Sequence, residues 1–128
     1  MSKRVVHTLN APQPIGPYSQ AIAYNGILYI SGQIPMHPDT GLIPDTIADQ
    51  THQALTNLVA IIHAAKASTA DVIKNTIYIK NMDDFETING IYNTYFSEPY
   101  PARAVIEVAR LPKDVGIEIE SIVSDAST

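Results

Sequence analysis

The sequence predicts an α+β domain, a mostly antiparallel six-stranded sheet with two helices on one face. Three observations carry that prediction. Strand-like and helix-like segments follow in the order strand, two strands, helix, strand, helix, two strands. Asn25-Gly26 stands between two short apolar runs, the signature of a type I′ hairpin turn with positive φ at both central residues. Residues 46–66 carry one long helical period and no proline. The 128 residues are the length of one domain, taken here as 1–128.

Each element follows in chain order. Residues 4–9 are a short β-prone run, and three prolines make 11–17 an extended loop. Residues 21–24 and 27–31 are the arms of the hairpin. Three more prolines, with Asp39-Thr40-Gly41 as a turn, make 35–44 a second loop. In the helix at 46–66, Ile47, Thr51, Ala54, Leu55, Leu58, Ile61, Ile62 and Ala65 share one face. Asp49, Gln53 and Asn57 are expected on the other. Residues 72–80 form a strand, with Ile77 and Ile79 opposite Thr76, Tyr78 and Lys80. Asp83 or Asp84 can cap a second helix that runs to about residue 96, before Pro99 and Pro101. Strands at 103–109 and 116–124 close the chain.

The expected sheet faces follow from alternation. Ile77 and Ile79, Ala104, Ile106 and Val108, and Ile117 and Ile119 are expected toward the helices. Tyr78, Arg103, Val105, Glu107, Glu118 and Glu120 then share the other face. That face is too ionisable for a core and too apolar for open solvent. A half-buried face between subunits, with a polar pocket inside, would suit it.

Composition excludes several chemistries. There is no cysteine, so disulfides, thiolate metal sites, iron–sulfur clusters and a cysteine nucleophile are ruled out. The four histidines make no metal motif; His52 and His63 would lie about 16 Å apart along one helix. Walker A and G-x-G-x-x-G loops are absent, as is a G-x-S-x-G elbow around Ser31. The net charge of −5 argues against a nucleic-acid partner. No N-terminal stretch resembles a signal peptide, and the apolar runs are too short to span a bilayer. A cytoplasmic protein is expected. Charged residues are only 16% of the chain, against the usual ~25%, which points to a surface covered by another chain.

One pair stands out for chemistry. Arg103 and Glu118 lie on consecutive strands joined by a short loop and are expected to be close across the sheet. An arginine fork can hold a carboxylate, and a carboxylate of suitable pKa can act as a general base. A plain cross-strand ion pair would use the same two residues. Tyr18, aimed by Gly16-Pro17, can wall a pocket or simply pin its loop. Gly32 after Ser31 can bring backbone N–H groups to an anion or serve an ordinary turn. Asn89 reads as a solvated helical residue.

The segment from Pro101-Ala102-Arg103 through Leu111-Pro112-Lys113-Asp114 to Gly116-Ile117-Glu118-Ile119 resembles the C-terminal signature of the reactive intermediate deaminase A family, RidA or YjgF. Ile15-Gly16-Pro17-Tyr18, Ser31-Gly32-Gln33-Ile34-Pro35, Thr40-Gly41 after Pro38, and Asp84-Phe85 before Ile88-Asn89 match the same family in order. The resemblance covers nearly the whole chain. It implies a chorismate-mutase-like fold and a homotrimer with a central barrel-like core and pockets between subunits. It also implies hydrolysis of 2-aminoacrylate-like enamines and imines to 2-keto acids and ammonia, without metal or organic cofactor. On that resemblance Arg103 anchors the substrate carboxylate and Glu118 serves the attacking water. Tyr18, Ser31 and Asn89 line the pocket, and Gly32 offers its N–H. The position usually held by cysteine is Val105, after Ala104 in place of serine. Two other readings stay open: a small-acid-binding or regulatory protein using the same pocket, and an endoribonuclease or translation inhibitor.

Overall fold

The hairpin at Asn25-Gly26 forms, with both residues at positive φ (54° and 81°) and Tyr24 opposite Ile27. It joins β2 (Ala21–Tyr24) to β3 (Ile27–Gln33) in a computed structural model that describes residues 2–125. The remaining elements are β1 (Arg4–Val6), α1 (Ile47–Ala64), β4 (Val72–Ile79), α2 (Phe85–Tyr92), β5 (Ala102–Glu107) and β6 (Ile117–Ser124). Among the described residues the strands make one six-stranded sheet in the order β1-β2-β3-β6-β4-β5. Every neighbouring pair is antiparallel except β4 and β5. The α+β class, six strands and two helices are as expected; the parallel pair is the addition. It follows from β4-α2-β5 being a crossover unit, in which a helix carries the chain back to start a parallel strand.

α1 begins at Thr46, whose hydroxyl accepts the Asp49 N–H at 3.1 Å. It lays Thr51, Ala54, Leu55, Leu58, Ile61 and Ile62 onto the sheet. They meet Leu28, Ile30, Ile77, Ile79, Ile117, Ile119 and Val123 in the core. Asn57, expected outward, is fully buried instead. Its Nδ2 donates to the carbonyls of Ile34 (3.0 Å) and Met36 (2.9 Å), which fastens the loop after β3 to the helix. Those two bonds offset the desolvation of the amide.

α2 is entered through a 3₁₀ turn, Met82–Asp84, capped by Asn81 rather than by either aspartate. The Asn81 side chain accepts the Asp83 N–H at 2.9 Å. The helix stops at Tyr92, and the following residues bond in tighter turns that still carry Phe96 into the core.

The face expected for β5 is inverted. Arg103 pairs with buried Asn75 and Val105 with buried Ile77, so both lie on the helix side; Ala104 and Ile106 face away. Segment 103–106 alternates two apolar residues against one apolar and one charged residue, so alternation alone did not fix its phase. The face away from the helices carries Val5, Ile22, Tyr29 and Ile122 in one row across four strands. Ile106, Tyr78 and Glu118 form another row.

Candidate functional site

The first cluster lies where β3 meets β6. The pairing is irregular between Ile30 and Gln33, and Gly32 sits in that irregularity. Glu118 takes the space a side chain would need there: a Cβ on Gly32 would be 2.3 Å from Glu118 Oε2. Gly32 is therefore required for close approach, not for backbone conformation. Gly32 and Tyr18 also line a cleft of ≈ 390 Å³ with Ile15, Ile34, Met36 and Lys113. Ser31 is occupied within the fold. Its Oγ donates to the Ser19 carbonyl at 2.6 Å and its N–H to the Gln20 carbonyl at 2.9 Å, which holds the Tyr18 loop to β3.

Glu118 has company on its strand. Burial raises its pKa first, and the neighbouring Glu120 raises it further. The Tyr78 hydroxyl donates to Glu120 Oε1 at 2.6 Å. That bond, with burial and the charges of Glu120 and Glu118, pushes the phenol pKa up. A carboxylate whose pKa is raised is a stronger base, suited to take a proton from water.

The second cluster lies at the other edge of the sheet. Arg103 Nη1 donates to Asn89 Oδ1 at 2.7 Å. The guanidinium carbon stands 4.8 Å from the centre of the Tyr92 ring and 5.7 Å from that of Phe85. Arg103 and Asn89 line a cleft of ≈ 400 Å³ with Tyr92, Asn93, Tyr100 and Pro101. Asn89, read from sequence as solvated, is thus the arginine's partner. An exposed, fixed guanidinium at a cleft can receive a carboxylate or another small anion. Val105 is two residues along but lines a separate depression with Met82, Asp83, Phe85 and Glu86.

The expected closeness of Arg103 and Glu118 across the sheet is therefore corrected. β4 lies between their strands, because β5 pairs with β4 through the crossover and not with β6 through a hairpin. The two side chains also lie on opposite faces. Tyr18, Ser31, Gly32 and Glu118 form one group, and Arg103 and Asn89 another. Phe85, Tyr92 and Asn75 were not anticipated as neighbours of the arginine; the aromatic spacing of α2 is the signal that could have found the first two. Among the described residues no group of three or more His, Cys, Asp or Glu could hold a metal ion. No helix among them is long and apolar enough to cross a membrane.

Comparison with known proteins places the chain. A family model described as Endoribonuclease L-PSP matches residues 8–124. A RutC family protein of Pyrococcus horikoshii is 55% identical over 121 residues, covering 94% of this chain and 96% of that one. The 2-iminobutanoate/2-iminopropanoate deaminase of Escherichia coli is 46% identical over 125 residues, covering 95% and 97%. Among solved structures, a Rid-family protein of Yersinia pestis has a TM-score of 0.94 at 46% identity, covering 96% and 99%. The TdcF protein of E. coli, solved with bound serine, has a TM-score of 0.91 at 44% identity, covering 94% and 98%. Sharing its motifs, its fold and nearly its full length with these proteins, the chain belongs to the RidA (YjgF) family.

Proposed function

We propose that the protein hydrolyses 2-imino acids and their enamine tautomers to 2-keto acids and ammonia, in pockets formed between copies of the chain. The observation that carries this reading is the split site. A carboxylate with a raised pKa lies on one face, and a fixed guanidinium lies on the other face at the sheet edge. One chain cannot bring them together, but a second copy can present its Arg103 edge to the first copy's Glu118 face. Exposed Val5, Tyr29 and Ile106 on that face suit burial against such a copy. The family resemblance implies a homotrimer. The deaminase name of the E. coli relative and the amino acid bound to TdcF support a substrate of this class.

The chemistry asks little of the protein. An iminium carbon is already electrophilic. Arg103 holds the substrate carboxylate bidentately and the Gly32 N–H steadies it. Glu118 takes a proton from water as the water oxygen bonds to the imine carbon, giving a carbinolamine. The proton passes from Glu118 to nitrogen, the re-formed carboxylate takes the hydroxyl proton as the C–N bond breaks, and that proton goes to the departing ammonia, leaving the keto acid. Water supplies the new carbonyl oxygen. Tyr18 and Ile15 shield the reacting carbon, and orientation does most of the work. The family model's description names an endoribonuclease, but a chain of net charge −5 opposes a polyanion.

Complementation tests the split site. Arg103→Ala and Glu118→Gln should each lose release of keto acid from a dehydratase-generated imine. Unfolded together and refolded, they should regain about a quarter of wild-type activity, since roughly one site in four then joins an intact arginine to an intact glutamate. Full activity in either variant alone, or no recovery in a mixed oligomer, would overturn the reading.

A further inference from the structure

The cluster around Arg103 reaches further into the protein than its cleft. Arg103, Asn75 and Ser121 stand side by side in one row across β5, β4 and β6. Asn75 is fully buried and Ser121 is 3% exposed, so two polar side chains stand side by side in the core layer between sheet and helices. Asparagine is a poor strand residue, and an amide buried without partners is costly to desolvate. Here both ends are satisfied. The Ser121 hydroxyl donates to Asn75 Oδ1, and Asn75 Nδ2 donates to the Tyr92 hydroxyl at 2.9 Å. Tyr92 is itself 5% exposed, and its ring stacks on Phe96 at 4.6 Å between centres. The other face of the matter is the guanidinium, 4.8 Å from the same ring.

We infer that Asn75 and Tyr92 are positioning residues that set the guanidinium of Arg103 for carboxylate binding, with Ser121 holding Asn75 in turn. This rests on the reading of Arg103 as the carboxylate anchor. Arg103 is an exposed residue on an edge strand, and a long side chain there is ordinarily mobile. Asn89 restrains one nitrogen of the fork. The ring of Tyr92 lies 4.8 Å from the guanidinium carbon, and the ring is itself held through its hydroxyl by a hydrogen bond that a phenylalanine could not make. A packing role alone would be met by phenylalanine at 92 and valine at 75. The polar row adds a specific orientation at the point where the cation lies.

Tyr92→Phe keeps the ring and removes only the hydroxyl. 2-Oxobutanoate, the keto-acid probe, is titrated into wild type, Tyr92→Phe, Arg103→Ala and the double variant, with the Arg103 Nε–H resonance followed by NMR. Tyr92→Phe should weaken binding roughly fivefold, the value of one neutral hydrogen bond. It should also move the Arg103 resonance toward that of a freely averaging guanidinium. In the Arg103→Ala background Tyr92→Phe should change affinity by less than twofold, because it acts through the arginine. Asn75→Val should reproduce the effect with Tyr92 intact. If wild type and Arg103→Ala bind the probe alike, the anchor reading falls and this inference with it. If they differ but Tyr92→Phe weakens binding equally in both backgrounds, or leaves the Arg103 resonance unmoved, the anchor stands and the positioning role is wrong.

Discussion

Gly32→Ala separates geometry from folding. Its new Cβ would lie 2.3 Å from Glu118 Oε2, 2.8 Å from Cδ and 3.1 Å from Cγ. Ordinary contact begins near 3.4 Å, so the carboxylate must retreat by about 1 Å. Retreat is open to it, because the clash is with the end of a flexible side chain and Gly32 is not at positive φ. The backbone has no reason to move, and stability should fall by less than about 1 kcal/mol, within the range of surface substitutions. On the proposed mechanism catalysis depends on where the carboxylate stands, and a misplacement of about 1 Å costs on the order of a hundredfold in rate. The expected result is a near-normal denaturant midpoint with kcat for imine hydrolysis reduced roughly a hundredfold. Binding of 2-oxobutanoate should fall far less, since Arg103 is untouched. A Gly32→Ala protein with wild-type kcat would show that the observed position of Glu118 is not the catalytic one. One that fails to fold would show that the irregularity in β3 is structural after all.

Three further substitutions probe separate parts of the structure. Glu118→Gln should alter stability in a pH-dependent way. The folded-state pKa of Glu118 is raised above the ordinary 4.5, so the native state holds the proton more tightly and stability falls as pH rises from 4.5 through the folded value. Denaturant midpoints should then place Glu118→Gln above wild type at pH 8, with the gap closing below pH 4.5; a gap that widens on acidification would contradict the burial of this carboxylate. Asn57→Ala strips two donors from the Ile34 and Met36 carbonyls and should cost about 2–3 kcal/mol by urea unfolding. Ile106→Asp puts a charge on the face assigned to a second copy, and sedimentation should report smaller species with activity lost in parallel. An unchanged oligomer with Asp at 106 would remove that face from the interface.

Much of the architecture can be read from local pattern, because local physics sets it. Asn25-Gly26 dictates its turn, and the period of α1 marks its buried face apart from Asn57. That residue could not be read, because what buries it is a pair of carbonyls on a loop far away in sequence. The strand order was hidden for a similar reason. The short link from β5 to β6 looks like a hairpin, yet the chain passes over β4, and the strand-helix-strand pattern around α2 was the better guide. The motifs of the resemblance named the candidate residues, but not how they group. Whether Arg103 faces Glu118 or the rings of α2 depends on the phase of β5, and Ala104 and Ile106 are as apolar as Val105. Only Phe85 and Tyr92 beneath the guanidinium settle that phase.

The separation of the acid and the cation onto two faces has a consequence for the protein's life in solution. On the proposed reading, a chain that has folded but not yet met its neighbours is chemically silent. Dilution would then switch activity off without unfolding anything, and heat would inactivate the protein at the temperature where copies part. Inactivation should therefore shift with protein concentration, and substrate-like acids bridging two chains should act as glue. The same arrangement binds two histories together. On that reading a substitution on the open face of the sheet would be at once a change in the assembly and a change in the active site, so neither could drift without the other.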